Sequence, residues 1–163
     1  SLKEVTDVAN WVKENGRSMG MALTSCTVPS AGKPTFELGA DEVEIGIGIH
    51  GEPGRERLKQ KSAKEAVEMM GEAVVSDIPF KSGDDIIVMV NGMGGTPLIE
   101  LYLLYNEVAA FAKAKGLKLQ RNLVGNYITS LEMQGFSLTM MKANSRMIEL
   151  WDAPVLTPAL KWG

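Results

Sequence analysis

"DDIIVMVNGMGGTPLIELYLLYNEVAAFAKAKGLKLQRNLV", residues 84–124, decides the fold class. Its first part, DDIIVMV, is a continuous apolar run of the kind expected in a strand covered on both sides. NGMGGTP then turns the chain into a long helix, with Thr96 expected as N-cap and Pro97 at the first helical position. Leu98, Leu101, Tyr102, Tyr105, Val108, Ala109 and Ala112 recur at three- and four-residue spacing, so this helix is expected to be thoroughly packed and to end near Gly116. LKLQRNLVGNYIT (117–129) and GFSLTMMKA (135–143) follow as strands. SLEMQG between them is too short for a crossover helix, so the two are expected to be antiparallel neighbours.

Upstream, SLKEVTDVANWVKENG has apolar residues at Leu2, Val5, Ala9 and Val12, an amphipathic helix stopped by Gly16. SMGMALTSC (18–26) reads as a largely buried strand, and the stretch to Asp41 as a loop punctuated by Pro29, Gly32, Pro34 and Gly39. VEIGIGIH (43–50) alternates with the period of a strand, Val43, Ile45, Ile47 and Ile49 facing a core and Glu44, Gly46, Gly48 and His50 facing away. GEPGRERLKQK is expected to be a charged, turn-rich loop. Ser62 and Glu65 form a capping box that opens a helix running to about Val75. SRMIELWD is a short helix, followed by a proline-containing tail.

Helices interleaved with strands give an α/β class: one two-layer domain over residues 1–163, with a mixed β-sheet of about six strands and helices mainly on one face. Two long interior helices are too few to cover both faces, which leaves one for another domain or for a substrate. A formal net charge of −3 without a basic block excludes nucleic acid and anionic membrane as main partners. Cys26 is the sole cysteine, so there is neither an internal disulfide nor a cysteine-built metal site. The N-terminal helix carries charges before any long apolar run and is not expected to be a signal peptide, and no stretch reaches the length of a membrane span. Together these features favour a cytoplasmic protein.

His50 is the only histidine. At a strand end beside GEPG it is either a solvent-facing turn residue or an imidazole acting as base or nucleophile on a carbonyl, which requires the neutral ring. Metal binding is disfavoured because no other ligand lies at suitable spacing, and no Gly-x-Ser-x-Gly elbow is present. Gly46 and Gly48 clear the face that His50 shares, as happens where a ligand or backbone must approach closely. Glu52 is either an orienting carboxylate or simply solvated. NGMGGTP offers a glycine-rich turn at a helix N-terminus, an anion cradle or merely a tight turn, the latter favoured because it lacks a P-loop or dinucleotide pattern. The ten methionines read as core filler, and Trp11, Trp151, Trp162 and the short basic run KLQR (118–121) as weak signals.

CTVPSAGKPTFELGADEVEIGIGIHGEPG (26–54), NGMGGTPLIELYLLYNEV (91–108) and VGNYITSLEMQGFSLTMMKAN (124–144) together resemble the C-terminal domain of the substrate-binding subunit of dihydroxyacetone kinase. The resemblance implies that His50 binds the ketone of dihydroxyacetone covalently, as a hemiaminal, in the space left by the glycines. It implies a phosphotransferase whose phosphate comes from ADP, with magnesium, on a separate all-helical donor subunit recharged from phosphoenolpyruvate. This chain itself then holds neither cofactor nor metal. DAPVLTPALKWG (152–163) is similar to the end of the bacterial, phosphotransferase-linked subunit. The family's first domain, which supplies a base and grips the substrate hydroxyls, has no counterpart in these residues, so the fragment alone is expected to be inactive. A homodimer is also implied. Two alternatives remain open: a dihydroxyacetone-sensing transcriptional coactivator paralogue, and a non-catalytic module holding an apolar ligand.

Overall fold

Two serines start helices by the same device. In the computed structural model, which describes residues 1–50 and 52–163, the side chains of Ser1 and Ser62 each accept the N–H of the residue three positions on, and Glu4 and Glu65 return the bond to the cap. They open α1 (Leu2–Asn15) and α2 (Ala63–Asp77). The remaining helices are α3 (Leu98–Ala114) and α4 (Ser145–Asp152). The strands are β1 (Gly16–Ala22), β2 (Glu42–Ile45), β3 (Glu56–Lys59), β4 (Asp85–Gly92), β5 (Lys118–Gly125), β6 (Gly135–Lys142), β7 (Val155–Leu156) and β8 (Lys161–Trp162).

The main sheet has six strands in the order β3-β2-β1-β6-β4-β5, with β4 and β5 parallel and every other pair antiparallel. This is the mixed α/β sheet expected. The core lies between one face of it and α2 with α3, where Met19, Met21, Val43, Ile45, Ile86, Val88, Val90, Phe136, Leu138 and Met140 meet Val67, Met70, Leu101 and Val108. On the opposite face Ser18, Gly20, Met89, Asn91, Ser137 and Thr139 line an open trough of about 520 Å³. No helix among the described residues is long and apolar enough to cross a membrane.

Several expectations are corrected. β5 and β6 are not neighbours, because β4 lies between them. The parallel step β4–α3–β5 puts β5 on one side of β4, and residues 126–134 then cross the end of β4 to start β6 on the other. Asn91 pins that crossing: its Oδ1 accepts the N–H groups of Tyr127 (2.9 Å) and Ile128 (2.8 Å), and its Nδ2 donates to Ile128 O (2.8 Å). The charged stretch after His50 contains an edge strand, β3, paired with β2. The tail forms the small β7–β8 hairpin, with Trp151 and Trp162 stacked at 5.6 Å between ring centroids. The first buried strand ends at Ala22, and the one expected to reach Thr129 ends at Gly125.

Thr96 does not cap α3. Pro97 holds that position without a side-chain bond, because the buried Thr96 hydroxyl is taken by Gly135, donating to its carbonyl (2.6 Å) and accepting its N–H (2.8 Å). Nor is α3 packed all round: Leu101, Leu104, Val108, Phe111 and Ala112 are buried, whereas Leu98, Ile99, Tyr102 and Leu103 are exposed. The apolar stripe of α1 is likewise uncovered, with Leu2 84%, Val5 66% and Val12 41% exposed.

Candidate functional site

β2 delivers the chain to His50, but not as one continuous strand. Pairing stops at Ile45, and Gly46 adopts φ +79°, a left-handed conformation that side chains resist. Val43 and Ile45 point into the main core, while Ile47 is buried in a separate cluster with Ala22, Cys26, Met93 and Met133. The alternation in the sequence therefore reports two different cores on either side of a bend. His50 follows in a turn, its side chain 77% exposed, at the rim of a cleft of about 790 Å³.

Glu52 takes the space expected for a ligand. Its carboxylate accepts the His50 backbone N–H at Oε2 (2.8 Å), and Oε1 lies 3.2 Å from His50 Nδ1. A Cβ on Gly48 would collide with that carboxylate, and one on Gly46 would lie 2.7 Å from Arg55 Cγ. The two glycines thus leave room for charged side chains of the following loop, and Gly48 also lines the cleft beside the ring. Gly51, part of the GEPG motif, lies outside the described residues. Bonds to its own backbone and to the His50 N–H hold the Glu52 carboxyl below the usual carboxylate range, so it is an anion and the hydrogen between it and Nδ1 belongs to the ring. In the neutral imidazole this leaves the lone pair on Nε2.

The floor of the cleft holds a second acid. Glu44 Oε1 accepts the Gly54 N–H (2.9 Å), and its other oxygen, sealed from solvent, faces Arg57 Nε at 3.4 Å. Cys26 and Ser130 also line the cleft, joined by a 3.3 Å contact between Sγ and Oγ. Arg57 and Ser130 were not singled out from sequence. The charged residues Glu56, Arg57 and Lys59 around a single apolar Leu58 were the only available signal for the first, and a weak one; the second had none, since its partners are far away in the chain.

The other sequence candidates resolve as structural parts. In NGMGGTP the N–H groups of Met93, Gly94 and Gly95 donate to Gly135 O, Asn126 Oδ1 and Met133 O, so they are spent within the protein, as the tight-turn reading expects. Met19, Met21, Met70, Met93, Met133, Met140 and Met147 are buried. In KLQR, Gln120 donates to Asp85 (2.7 Å) and Arg121 forms a two-point ion pair with Asp152 (2.5 and 2.6 Å) that fastens α4 to β5. Among the described residues no three His, Cys, Asp or Glu side chains converge as a metal site.

Comparison with known proteins places this geometry. The family model of the Dak1 domain matches residues 1–159. The dihydroxyacetone-binding subunit DhaK of the PEP-dependent dihydroxyacetone kinase of Escherichia coli (strain K12) is 40% identical over 187 aligned residues, covering 100% of this chain and 52% of that protein. The corresponding subunit of the PTS-dependent dihydroxyacetone kinase 1 of Listeria innocua is 42% identical over 160 residues, covering 98% of this chain and 49% of its own. Among solved structures, the dihydroxyacetone kinase operon co-activator Dha-DhaQ superposes with a TM-score of 0.87 at 30% identity, over 94% of this chain and 48% of that one. The chain spans about half the length of the two curated relatives. With the family model matched over nearly every residue, the chain belongs to the Dak1 domain family.

Proposed function

We propose that this chain is the histidine-bearing domain of a dihydroxyacetone kinase subunit, and that His50 tethers the substrate through its carbonyl carbon. The observation that carries the reading is the Glu52 carboxylate at Nδ1, which leaves an exposed Nε2 as nucleophile at the cleft. Attack by the Nε2 lone pair forms a C–N bond and breaks the C=O π bond. The new alkoxide takes a proton from water, and the Nδ1 proton leaves through Glu52 or solvent, giving a neutral hemiaminal. Glu52 opposes the positive charge that builds on the ring during attack. Such a tether selects for a carbonyl and rejects glycerol, which differs little in size.

In this reading the bond fixes the substrate while its hydroxyl receives phosphate from ADP-bound phosphate on a separate helical subunit, charged ultimately from phosphoenolpyruvate, with magnesium at that donor. A first domain of the same subunit supplies the base, so these residues alone are inactive as a kinase, since phosphoryl transfer rests on positioning and charge stabilisation. A cytoplasmic homodimer completes the proposal. The test is native mass spectrometry and NMR with dihydroxyacetone labelled at the carbonyl carbon. Wild type is expected to show one added triose and a carbonyl signal moved into the range of a tetrahedral carbon, and His50→Ala neither. An unmodified, folded full-length subunit at saturating dihydroxyacetone sinks the proposal.

The superposition on an operon co-activator favours a second reading, a regulator that senses dihydroxyacetone through the same histidine. Turnover by the full-length subunit with a donor subunit separates the two. An apolar-ligand module is the weakest reading, since Glu44, His50, Glu52 and Arg57 all line the cleft.

A further inference from the structure

We infer that Ser130 is a positioning residue for His50, acting through the peptide bond that precedes it. The inference rests on the reading of His50 as the point of substrate attachment. Gly46 makes the last backbone bond to the sheet, its N–H donating to Gly20 O (2.7 Å), and no ladder of backbone bonds orients residues 47–50. Two side chains do so instead, on opposite edges of one peptide unit. The Ser130 hydroxyl donates to Ile49 O (3.0 Å), and Glu52 accepts the His50 N–H. Fixing both the C=O and the N–H of a planar unit fixes its rotation about the chain, and with it the direction in which the His50 side chain leaves the backbone. Glu52 then sets the ring's tautomer. Ser130 sets where the ring starts from.

Ser130 suits this role because it is itself held. Its N–H donates to Met93 O (2.7 Å), its carbonyl accepts the Met133 N–H (3.0 Å), and the segment before it is clamped by Asn91. The hydroxyl has one hydrogen, spent on Ile49 O, so the buried Cys26 contact runs from the thiol hydrogen to Ser130 Oγ. Through its N–H to Met93 O, one residue past β4, and its hydroxyl to Ile49 O, Ser130 thus ties the His50 turn to the end of β4, with the Cys26 thiol held against the same hydroxyl. Glu132 secures the other flank by accepting the Thr27 N–H (2.7 Å).

The test compares Ser130→Ala, Ser130→Cys and Ser130→Thr in the full-length subunit, with hydrogen exchange of the His50 amide as a readout that needs no ligand. Alanine removes the donor, cysteine keeps volume with a weak donor, and threonine keeps the hydroxyl. Alanine and cysteine are expected to speed exchange at the His50 amide and to weaken the dihydroxyacetone adduct by about tenfold, the loss of one hydrogen bond's worth of positioning, with threonine within about twofold of wild type. Cys26→Ala, which leaves the bond to Ile49 in place, is expected to change either by less than about threefold. Unchanged exchange in both donor-poor variants overturns the inference, as does equal loss in threonine and alanine. Should alanine fail to fold, the cysteine and threonine pair decides. If wild type forms no adduct, the reading of His50 fails while the exchange data still judge Ser130. An adduct equally stable in wild type and the donor-poor variants sinks Ser130 alone.

Discussion

In β4, Ile86, Val88 and Val90 are fully buried, and both edges of the strand are paired, to β5 and β6. Residues 46–50 and 52–55, a few strands away, are organised by different means. There the glycines accommodate Glu52 and Arg55, Glu44 accepts the Gly54 N–H, Ser130 holds Ile49, and Glu52 holds His50. The first region is fixed by apolar area removed from water, which is strong and indifferent to direction. The second is fixed by hydrogen bonds from side chain to backbone, each weak in net terms but directional. On the proposed reading of His50, an imidazole that meets a carbonyl along a set line needs direction more than strength, and the edge of the sheet, free of the core's packing demands, is where direction can be built.

If that division holds, the two regions should fail separately. The largest effect is expected from Leu138→Ala in β6, whose side chain is fully buried in the main core: a loss of about 2–5 kcal/mol in denaturant unfolding, from transfer and cavity terms together. In the protein that remains folded, dihydroxyacetone should add to His50 with unchanged affinity. An affinity that falls in step with stability would show that the turn at residues 47–50 leans on the core after all.

A smaller loss is expected at Thr96, which belongs to the core side of the comparison although it is polar. Thr96→Val keeps the shape but leaves the N–H and C=O of Gly135 without their hydroxyl, at a cost of about 1–3 kcal/mol. Thermal unfolding measures it directly. A neutral result would mean that water replaces the hydroxyl, and that the start of β6 is less sealed than its burial indicates.

The same division explains how much was legible beforehand. β4, α2, α3 and β6 are visible in the sequence because burial writes itself as apolar runs and helical periodicity, and capping as Ser62 with Glu65. β3 escapes because an edge strand can be almost entirely charged; only Leu58 of its four residues is even half-buried, and charge at an edge discourages unwanted pairing. Strand adjacency escapes too, since Asn91 fixes the path of residues 126–134 through contacts thirty-odd positions away. His50 was legible as a candidate by being alone. That Gly46 ends β2, that Gly48 makes room for Glu52 and that Ser130 grips Ile49 are tertiary facts with no local signature. The mistaken N-cap at Thr96 has the same origin, a hydroxyl claimed by a distant backbone.

The smallest change in stability and the sharpest on the site is expected from Glu52→Gln. The side chain is more than half exposed, so the unfolding midpoint should hardly move. Adduct affinity should fall on the order of threefold, because the amide keeps an acceptor for the His50 N–H but loses the charge that opposes the imidazolium during attack. Acid gives the same test without mutation. The folded-state pKa of Glu52 is depressed below 4.5 by the bonds it accepts from its own backbone and from the His50 N–H, so its contribution is fully present above that value and is lost only as pH falls through the lowered one. Carbon NMR of the Glu52 carboxyl should therefore show a midpoint below that of an unfolded glutamate, with the His50 amide signal moving in the same step. A Glu52 that titrates at the ordinary value, or a His50 amide that does not notice, would detach the carboxylate from the turn and leave Ser130 as the sole hold on the peptide before His50.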